Sequence, residues 1–306
     1  MRQPALGRIH ERITAIATTS FPAYVIRGEN ESLMIDSGVN LLGPTYLAAL
    51  KDVFGDAEEP DYLFFTHSHY DHVGAGGYLK RHLPGLKLGG HERLAVLAQK
   101  ASALETMNRL SRDHLELLEH NRTGEDVTIY PFQVDVVLKE GDEIDLGGLT
   151  CRVYEVPGHT RDSLAYYLPE IEALFPGDAC GVLRTSRGEP LQVEFVASYQ
   201  DYIDSLKKMI GLQPRMICLA HNWVLTDSDA GRFLQWSLAE TYRYRELIEA
   251  HLEAAHGDVE VALDEIMRAV YDADDESLPP RAAYLANLSA QVRHIARQRD
   301  NEENNQ

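Results

Sequence analysis

The stretch FFTHSHYDHVGAGG, residues 64–77, places three histidines and one aspartate within six positions, directly behind an apolar run. Its ligand-capable side chains occupy positions i, i+2, i+4 and i+5, and these are His67, His69, Asp71 and His72. On an extended segment that leaves a strand, positions i, i+2 and i+4 project to the same side. A helical turn beginning at Asp71 or His72 would bring the last imidazole toward the same cavity. One short loop is therefore expected to supply four ligands to two adjacent metal ions.

The donor types in this loop indicate which ions it would bind. Neutral imidazoles combined with carboxylates suit zinc, manganese or iron, and they require no thiolate. We therefore expect two divalent metal ions, with zinc as the first choice and iron or manganese as the alternatives. The following glycines, Gly74, Gly76 and Gly77, lack the Lys-Ser/Thr pair of a phosphate-binding loop. We expect them instead to let a helix begin close to the metals.

Three further candidate ligands stand at the C-terminal ends of later apolar strands. His159 ends the run CRVYEVPGH, Asp178 ends ALFPGD, and His221 ends MICLAH. Each one is weak evidence by itself, because the chain contains 13 histidines. With the loop they make seven candidate metal ligands, namely His67, His69, Asp71, His72, His159, Asp178 and His221.

These motifs, in this order, resemble those of the metallo-β-lactamase fold superfamily of metallohydrolases. The resemblance covers roughly residues 10–225 and rests on T-H-x-H-x-D-H at 66–72, P-G-H-T at 157–160, G-D at 177–178 and A-H at 220–221. It implies an α/β fold, a four-layer αββα sandwich of two mixed sheets faced by helices. The metals would lie at one edge, where the strand ends converge.

The resemblance also implies a role for each ligand. Asp36, in LMIDSG, matches the superfamily's upstream aspartate, which supports the ligand loop through hydrogen bonds. The alternative for Asp36 is an ordinary turn aspartate ahead of Gly38. The resemblance assigns His67, His69 and His159 to the first metal, Asp71, His72 and His221 to the second, and Asp178 to a bridge between them.

The pattern along the chain predicts a catalytic domain followed by a helical region. Over residues 1–227, short β-rich runs alternate with turns and helices, and about 91–121 reads as a helical insertion. Strand signals are almost absent from 228–300, and the polar tail at 301–306 is expected to be disordered. Three helices are predicted in the second region, at 229–252, 258–272 and 279–299.

The last predicted helix carries one apolar stripe. Its apolar residues recur at spacings of three, four and three, which places them on one face of a helix. We expect this face to pack against the main domain, and a homodimer contact is the alternative. The stripe consists of Leu285, Leu288, Val292 and Ile295.

Charge and composition limit the partners. The formal net charge of -19, from 48 acidic and 29 basic residues, repels a phosphate backbone, so we expect no nucleic acid partner. The start of the sequence lacks a basic segment followed by an apolar h-region, and no later stretch is long and apolar enough to cross a bilayer. We therefore expect a soluble cytoplasmic protein without membrane contact. The single cysteines Cys151, Cys180 and Cys218 are expected to be small buried apolar residues.

The predicted reaction is a metal-dependent hydrolysis. Two cations a few ångströms apart can hold a shared water, lower its pKa to roughly 7 and polarise a carbonyl oxygen. Such a site needs no Ser-His-Asp triad, and the sequence contains no G-x-S-x-G elbow. Asp71 is the predicted catalytic residue, which would orient the metal-bridging hydroxide or carry a proton to the leaving group. The expected substrate is a small-molecule acyl-thioester of the acyl-coenzyme A type.

The choice of a thioester depends on resemblance within the superfamily, whose members cleave β-lactams, thioesters, lactones, phosphodiesters and RNA. Asp178 occupies the position where many of its β-lactamases carry a cysteine ligand, and Cys180 is not placed to replace it. The negative charge disfavours RNA. The overall plan resembles glyoxalase II, without its basic glutathione-binding signature in 229–299. It resembles the quinolone-signal thioesterases more closely, over the N-terminal part more than over the tail.

Four alternatives stay open at the level of sequence. A lactonase would open a cyclic ester with the same hydroxide, and a phosphodiesterase is the next rival. A persulfide dioxygenase would hold one iron through His67, His69 and His159 alone. A regulatory protein with residual hydrolysis is the fourth, as the quinolone-signal resemblance suggests.

Overall fold

The computed structural model describes residues 1–55, 59–114, 124–184, 191–273 and 280–304, with side chains up to residue 299. The chain divides into two compact units. The sequence predicted that a catalytic domain ends at residue 227, and this domain boundary stays a prediction. The first unit comprises Met1–Glu155, Asp162–Gly177 and Gln213–Gly231, and the second comprises Val156–Arg161, Asp178–Leu212 and Arg232–Gln306.

One seven-stranded sheet of the first unit, here called sheet one, comes from the N-terminal half of the chain. Its first four strands in spatial order are antiparallel neighbours, and its last four are parallel neighbours. The central strand Ser32–Ile35 is buried at every position, as expected for a strand covered on both faces. In spatial order the strands are β2 (Gly7–His10), β3 (Ile13–Ala17), β4 (Pro22–Arg27), β5 (Ser32–Ile35), β6 (Tyr62–Phe64), β7 (Lys87–His91) and β8 (Val136–Leu138).

The other seven-stranded sheet of the first unit, sheet two, is also mixed. All its neighbouring strands are antiparallel except one parallel pair, Ala173–Phe175 and Met216–Cys218. In spatial order the strands are β1 (Arg2–Pro4), β16 (Trp223–Thr226), β15 (Met216–Cys218), β12 (Ala173–Phe175), β11 (Leu164–Leu168), β10 (Thr150–Glu155) and β9 (Glu143–Asp145).

The two sheets share an apolar core in which tyrosines also make hydrogen bonds. The ring of Tyr24 on β4 meets Phe175 on β12 edge-on at 5.4 Å between centroids. The hydroxyl of Tyr24 donates to the carbonyl of Leu219 over 2.6 Å, and that of Tyr166 donates to the carbonyl of Phe65 over 2.6 Å. Because a buried hydroxyl costs free energy unless it is hydrogen-bonded, these bonds allow tyrosine to fill the core.

Helices cover the other face of sheet one. Tyr46, Leu79 and Leu104, from three different helices, belong to the same buried cluster as Met34 of β5. The predicted helical insertion at 91–121 forms two helices, and its last seven residues lie outside the described residues. The helices of the first unit are α1 (Gly43–Phe54), α2 (Tyr70–Val73), α3 (Gly76–His82), α4 (Glu92–Leu97) and α5 (Ala101–Arg112). Two large mixed sheets with helices confirm the predicted fold class.

The C-terminal region is helical, as predicted. The last helix continues through Asn304, so residues 301–304 are helical where the sequence predicted a disordered tail. Extending an existing helix adds one hydrogen bond per residue without a new nucleation cost, which explains how a polar end can follow the preceding turns. The remaining elements are the short hairpin β13 (Val182–Leu183) and β14 (Leu191–Gln192), then α6 (Tyr199–Gly211), α7 (Ser228–Ala254), α8 (Val259–Ile266), a π-helical turn at Met267–Tyr271, and α9 (Arg281–Asn304).

Burial explains the apolar stripe of α9 only in part. Leu288, Val292 and Ile295 are buried, and α9 packs against α6 and α8 of its own unit. Leu285 is 37% exposed and lies outside that contact. The three cysteines are free and buried, as expected for small apolar side chains. Among the described residues, no helix combines the length and the apolar character that crossing a bilayer requires.

Gly177 is the residue on which the path of the chain into Asp178 depends. Its φ is +55°, and an added Cβ would lie 2.8 Å from the Cβ of Thr66. We expect Gly177→Ala to lower the free energy of unfolding by about 1–3 kcal/mol, from backbone strain and this clash. Gly231→Ala is the matched control, because it lies in α7 with nothing within 4 Å and should stabilise by about 0.5–1 kcal/mol. Urea denaturation measures both, and equal effects would contradict this account.

Candidate metal centre

The ligand loop begins where two parallel strands of sheet one end side by side. β5 and β6 are parallel neighbours, so their C-terminal ends lie at the same edge of the sheet. Asp36 follows β5 directly, and the segment Thr66–His69 follows β6. Helix α2 then begins at Tyr70, one residue before the earliest start that the sequence predicted. Asp71 and His72 therefore lie in the first helical turn.

Glycine allows this turn to pack closely against the end of β5. A Cβ added to Gly74 would lie 2.4 Å from the carbonyl oxygen of Tyr70 and 2.5 Å from the backbone nitrogen of Asn40. The backbone N–H of Gly74 donates to the carbonyl of Gly38 over 2.9 Å. Gly74 follows the last residue of α2, so this contact shows how the end of that helix packs, and the expected role of the glycines at the start of a helix stays a prediction.

Four imidazoles of the first unit form one continuous group. The ring centroids of His67 and His69 are 4.7 Å apart, and those of His67 and His72 are 4.0 Å apart. The ring of His221 meets that of His72 edge-on at 5.4 Å. His67 and His72 are buried. Four ring systems with metal-binding nitrogens thus lie side by side.

Asp36 anchors this group through three hydrogen bonds. Its Oδ1 accepts from the backbone N–H of Thr66 over 2.8 Å, and its Oδ2 accepts from the Thr66 hydroxyl over 2.8 Å. The same Oδ2 accepts from Nδ1 of His72 over 3.0 Å. Asp36 is buried and has a φ of +57°, a conformation that a non-glycine residue adopts only when its surroundings hold it. Its side chain therefore faces the ligand loop.

Hydrogen bonds fix which ring nitrogen of His72 and of His221 can bind a metal. Carboxylate and carbonyl oxygens only accept, so a ring nitrogen that binds one must carry the proton. Nδ1 of His72 binds Asp36, and Nδ1 of His221 binds the carbonyl of Ser20 over 2.7 Å. In both neutral rings, Nε2 is then the deprotonated nitrogen. Each Nε2 lies 3.9 Å from Oδ2 of Asp71.

The donor set Asp71, His72 and His221 fits a divalent cation. Its three ligand atoms lie within 4.8 Å of one another. The 3.9 Å separations between nitrogen and oxygen are too long for hydrogen bonds. Two ligands that each lie about 2.0–2.2 Å from one zinc ion are at most about 4.4 Å apart, so these pairs leave room for an ion. Two neutral imidazoles and a carboxylate are ordinary zinc, iron or manganese ligands.

Two further predicted ligands lie next to each other in the second unit. Nε2 of His159 is 3.7 Å from Oδ2 of Asp178, and both side chains are buried. Nδ1 of His159 donates to the carbonyl of Glu194 over 2.7 Å, so its Nε2 is the deprotonated nitrogen. The structure thus gathers five predicted ligands in the first unit and two in the second. Their union into one dinuclear centre stays a prediction.

Cys180 has the properties of a structural cysteine. It is fully buried, and burial raises the pKa of its thiol, with a further contribution from the nearby Asp178 carboxylate. A thiol whose pKa is raised stays protonated at neutral pH, whereas a metal ligand must be a thiolate. The carbonyl of Cys180 accepts a hydrogen bond from the Ser237 hydroxyl.

Sequence reasoning missed several residues that shape the site. Ser20 and Glu194 act through backbone carbonyls, which every residue type possesses. Beside Asp71, the hydroxyl of Tyr70 and Nε2 of His114 are 2.8 Å apart. Burial lowers the pKa of His114 and raises that of Tyr70, so both are neutral near pH 7. The only signal for His114 was its residue type within a predicted helix.

Comparison with known proteins places this geometry in context. A model of the metallo-beta-lactamase superfamily matches residues 22–221. A metallo-beta-lactamase fold-containing protein of Sulfurisphaera tokodaii is 28% identical over 66% of this chain and 73% of its own length. A hydroxyacylglutathione hydrolase of Gloeothece citriformis is 33% identical over 54% of this chain and 51% of its own. An acyl-coenzyme A thioesterase of Gallus gallus is 28% identical over 63% of this chain and 67% of its own.

Solved structures agree with the fold. A metallo-beta-lactamase superfamily protein from Sulfolobus tokodaii has a TM-score of 0.54 and 22% identity, over 78% of this chain and 85% of its own. A metallo-beta-lactamase family protein from Thermus thermophilus has a TM-score of 0.56 and 20% identity, over 91% of this chain and 96% of its own. This chain spans about half the length of the hydroxyacylglutathione hydrolase, so the similarity does not extend to that whole protein.

Asp36→Asn tests whether the anchor of the ligand loop supports metal binding. The amide keeps the size of the side chain but presents a donor where the carboxylate accepts, so the ring of His72 loses its fixed orientation. We expect the affinity for Zn²⁺ to fall roughly 10- to 100-fold, measured by competition with a chromophoric chelator.

Asp61→Asn is the matched control for this variant. Oδ2 of Asp61 accepts from the backbone N–H and the hydroxyl of Ser32, at the opposite end of the same strand pair. It should lower stability and leave the affinity for Zn²⁺ unchanged. A wild-type affinity in Asp36→Asn would refute the anchoring role.

Proposed function

Because the chain belongs to the metallo-beta-lactamase superfamily, we propose that it is a metal-dependent hydrolase whose substrates are thioesters of the acyl-coenzyme A type. The observation that carries the proposal is the donor set of Asp71, His72 and His221, whose ligand atoms lie within 4.8 Å of one another. Relatives named as an acyl-coenzyme A thioesterase and as hydroxyacylglutathione hydrolases support the choice of a thioester.

We assign seven residues to a centre for two divalent ions. Strand directions support joining the two groups: β10 and β12 are each antiparallel to β11, and β15 is parallel to β12. The C-terminal ends of β10, β12 and β15 therefore lie at one edge of sheet two. The segments that carry His159, Asp178 and His221 leave from these three ends. The proposed ligands are His67, His69, Asp71, His72, His159, Asp178 and His221.

Covalent continuity supports the same assignment. His159 lies in the six-residue segment Val156–Arg161, which is bonded to the first unit at both ends, at Glu155 and at Asp162. Asp178 follows Gly177, the last residue of a first-unit segment. Neither ligand is separated by more than three residues from the unit that holds the other five.

The chain's own residues supply positioning and proton transfer. Bound divalent metals would supply a water of lowered pKa and polarise the thioester carbonyl. Hydrolysis adds the water oxygen to the acyl carbon and breaks the carbon–sulfur bond, so one proton leaves the water and one reaches the thiolate. We assign this proton transfer to Asp71, whose Oδ2 is 3.9 Å from Nε2 of His72 and 3.9 Å from Nε2 of His221.

The residue at position 178 argues against a β-lactam substrate. A thiolate ligand is absent from the proposed set, and Cys180 is buried with a raised thiol pKa. The net charge of -19 argues against RNA, because a phosphate backbone would be repelled at long range. Thioesters, which are the substrates named for two of the relatives, remain the best match.

Activity assays on the metal-loaded protein test the substrate class. We expect hydrolysis of at least one member of a panel of acyl-coenzyme A and glutathione thioesters, loss of that activity on chelation, and its return with Zn²⁺, Mn²⁺ or Fe²⁺. Homoserine lactones and bis-nitrophenyl phosphate are the comparison substrates, since faster turnover of either would replace the thioesterase assignment. One iron per chain, together with oxygen consumption on a persulfide, would replace hydrolysis by oxidation.

Asp71→Asn tests the proposed catalytic role. The amide cannot accept or return a proton, so kcat on the best thioester should fall roughly 10²- to 10⁴-fold, with metal content determined on the same sample. Asp52→Asn, an exposed carboxylate on α1, is the control and should keep wild-type kcat. If Asp71→Asn removes hydrolysis but leaves the cellular phenotype of a deletion strain fully complemented, the protein acts as a regulator.

A further inference from the structure

A buried carboxylate lies behind His159 in the second unit. Nδ1 of His159 donates to the Glu194 carbonyl over 2.7 Å, and Oε2 of the Glu194 side chain is 3.8 Å from the same nitrogen. His159 is 1% exposed and Glu194 is 3% exposed. Nε2, the other ring nitrogen, faces Asp178. The ring therefore has a carboxylate on its ligand side and a second carboxylate on its far side.

The C-terminal helix α9 holds Glu194 in place. Nδ2 of Asn287 donates to Oε2 of Glu194 over 2.9 Å. One helical turn further on, Nε2 of Gln291 donates to the carbonyl of Val193 over 2.8 Å, and Gln291 is buried. Residues at i and i+4 share one face of a helix. One face of α9 thus binds both the side chain of Glu194 and the backbone beside it.

The backbone around His159 is held by other contacts. The backbone N–H of Ala197 donates to the carbonyl of Gly158 over 2.9 Å, and the hydroxyl of Ser205 donates to the carbonyl of Pro157 over 2.7 Å. Neither bond involves the side chain of Glu194. A change to that side chain should therefore alter the charge beside the His159 ring and leave the path of the loop intact.

We propose that Glu194 is a positioning residue for His159, and that α9 places it through Asn287 and Gln291. The backbone carbonyl of Glu194 orients the ring, and the negative charge of its carboxylate, 3.8 Å from the same nitrogen, raises the basicity of the other nitrogen, which strengthens a metal bond there. Burying a carboxylate costs free energy unless it is hydrogen-bonded, so the hydrogen bond from the amide of Asn287 helps to keep Glu194 charged beside the ring. The inference rests on the proposed role of His159 as a metal ligand.

Zn²⁺ affinity, measured by competition with a chromophoric chelator at constant pH, tests the proposal without relying on activity. Glu194→Gln keeps the shape and the backbone carbonyl but removes the charge, and it should weaken binding roughly 10-fold. Asn287→Ala should weaken binding in the same direction by a smaller factor. In a His159→Ala background, Glu194→Gln should cause no further loss, because the ring on which it acts is absent.

Leu288→Ala is the matched structural control. Leu288 is a buried neighbour of Asn287 on α9, and both line the same cavity of about 140 Å³ as Glu194. Its truncation enlarges that cavity, so the urea midpoint should fall while Zn²⁺ affinity stays at the wild-type value. A fall in affinity for Leu288→Ala equal to that for Glu194→Gln would reduce the role of Glu194 to general packing and overturn the proposal.

The failure of this inference can be distinguished from the failure of the proposed function. Wild-type Zn²⁺ affinity in His159→Ala would remove His159 from the ligand set and overturn both the seven-residue assignment and this inference. Weak binding in His159→Ala together with wild-type binding in Glu194→Gln would overturn the positioning role alone. An equal loss from Glu194→Gln with and without His159 would also overturn it, since the effect would not pass through the ring.

Discussion

The ligand loop depends on the hydrogen bonds that the carboxylate of Asp36 accepts. This carboxylate joins the end of β5 to the second residue after β6 through two hydrogen bonds from Thr66, and it orients the ring of His72 with a third. Parallel strands bring these points together, because their C-terminal ends meet at one edge. The left-handed backbone at Asp36 costs free energy. Three hydrogen bonds to one buried carboxylate offset that cost and hold the loop against the end of β5.

The same kind of hydrogen bond orients three of the candidate ligand histidines. Nδ1 of His72 donates to a carboxylate, while Nδ1 of His221 and Nδ1 of His159 donate to the carbonyls of Ser20 and Glu194. An acceptor that has no proton to give leaves only one neutral tautomer, in which Nε2 is the lone-pair donor. Backbone placement therefore sets the tautomer of these three rings.

Short connections join the strands of sheet two to the later candidate ligands, which follow the C-terminal ends of β10, β12 and β15. The C-terminal helices have no counterpart in the match to the superfamily, which ends at residue 221. If α9 positions His159 through Glu194, this addition contributes to metal binding.

The local sequence determined the features that depend only on neighbouring residues, such as side-chain spacing and apolar runs. The spacing of residues 67–72 fixed which side chains share one side of an extended segment followed by a helical turn, and apolar runs fixed the strands from which the later candidates leave. Residues 301–304 belong to α9 despite their polar composition, because composition does not show that a helix is already nucleated upstream. Burial of the cysteines followed from their apolar surroundings.

Tertiary structure alone decided the partners that orient the rings. Ser20 lies 201 positions from His221 in sequence, and Glu194 lies 35 positions from His159. Both act through a carbonyl that every residue carries, so no residue type could have marked them. The sequence identified Asp36 as a candidate, but it left open whether this residue supports the ligand loop or is an ordinary turn aspartate. The parallel pairing of β5 with β6 decided between the two roles. Long-range hydrogen bonds of the backbone are set by how strands assemble, and for that reason they leave no trace in the local sequence.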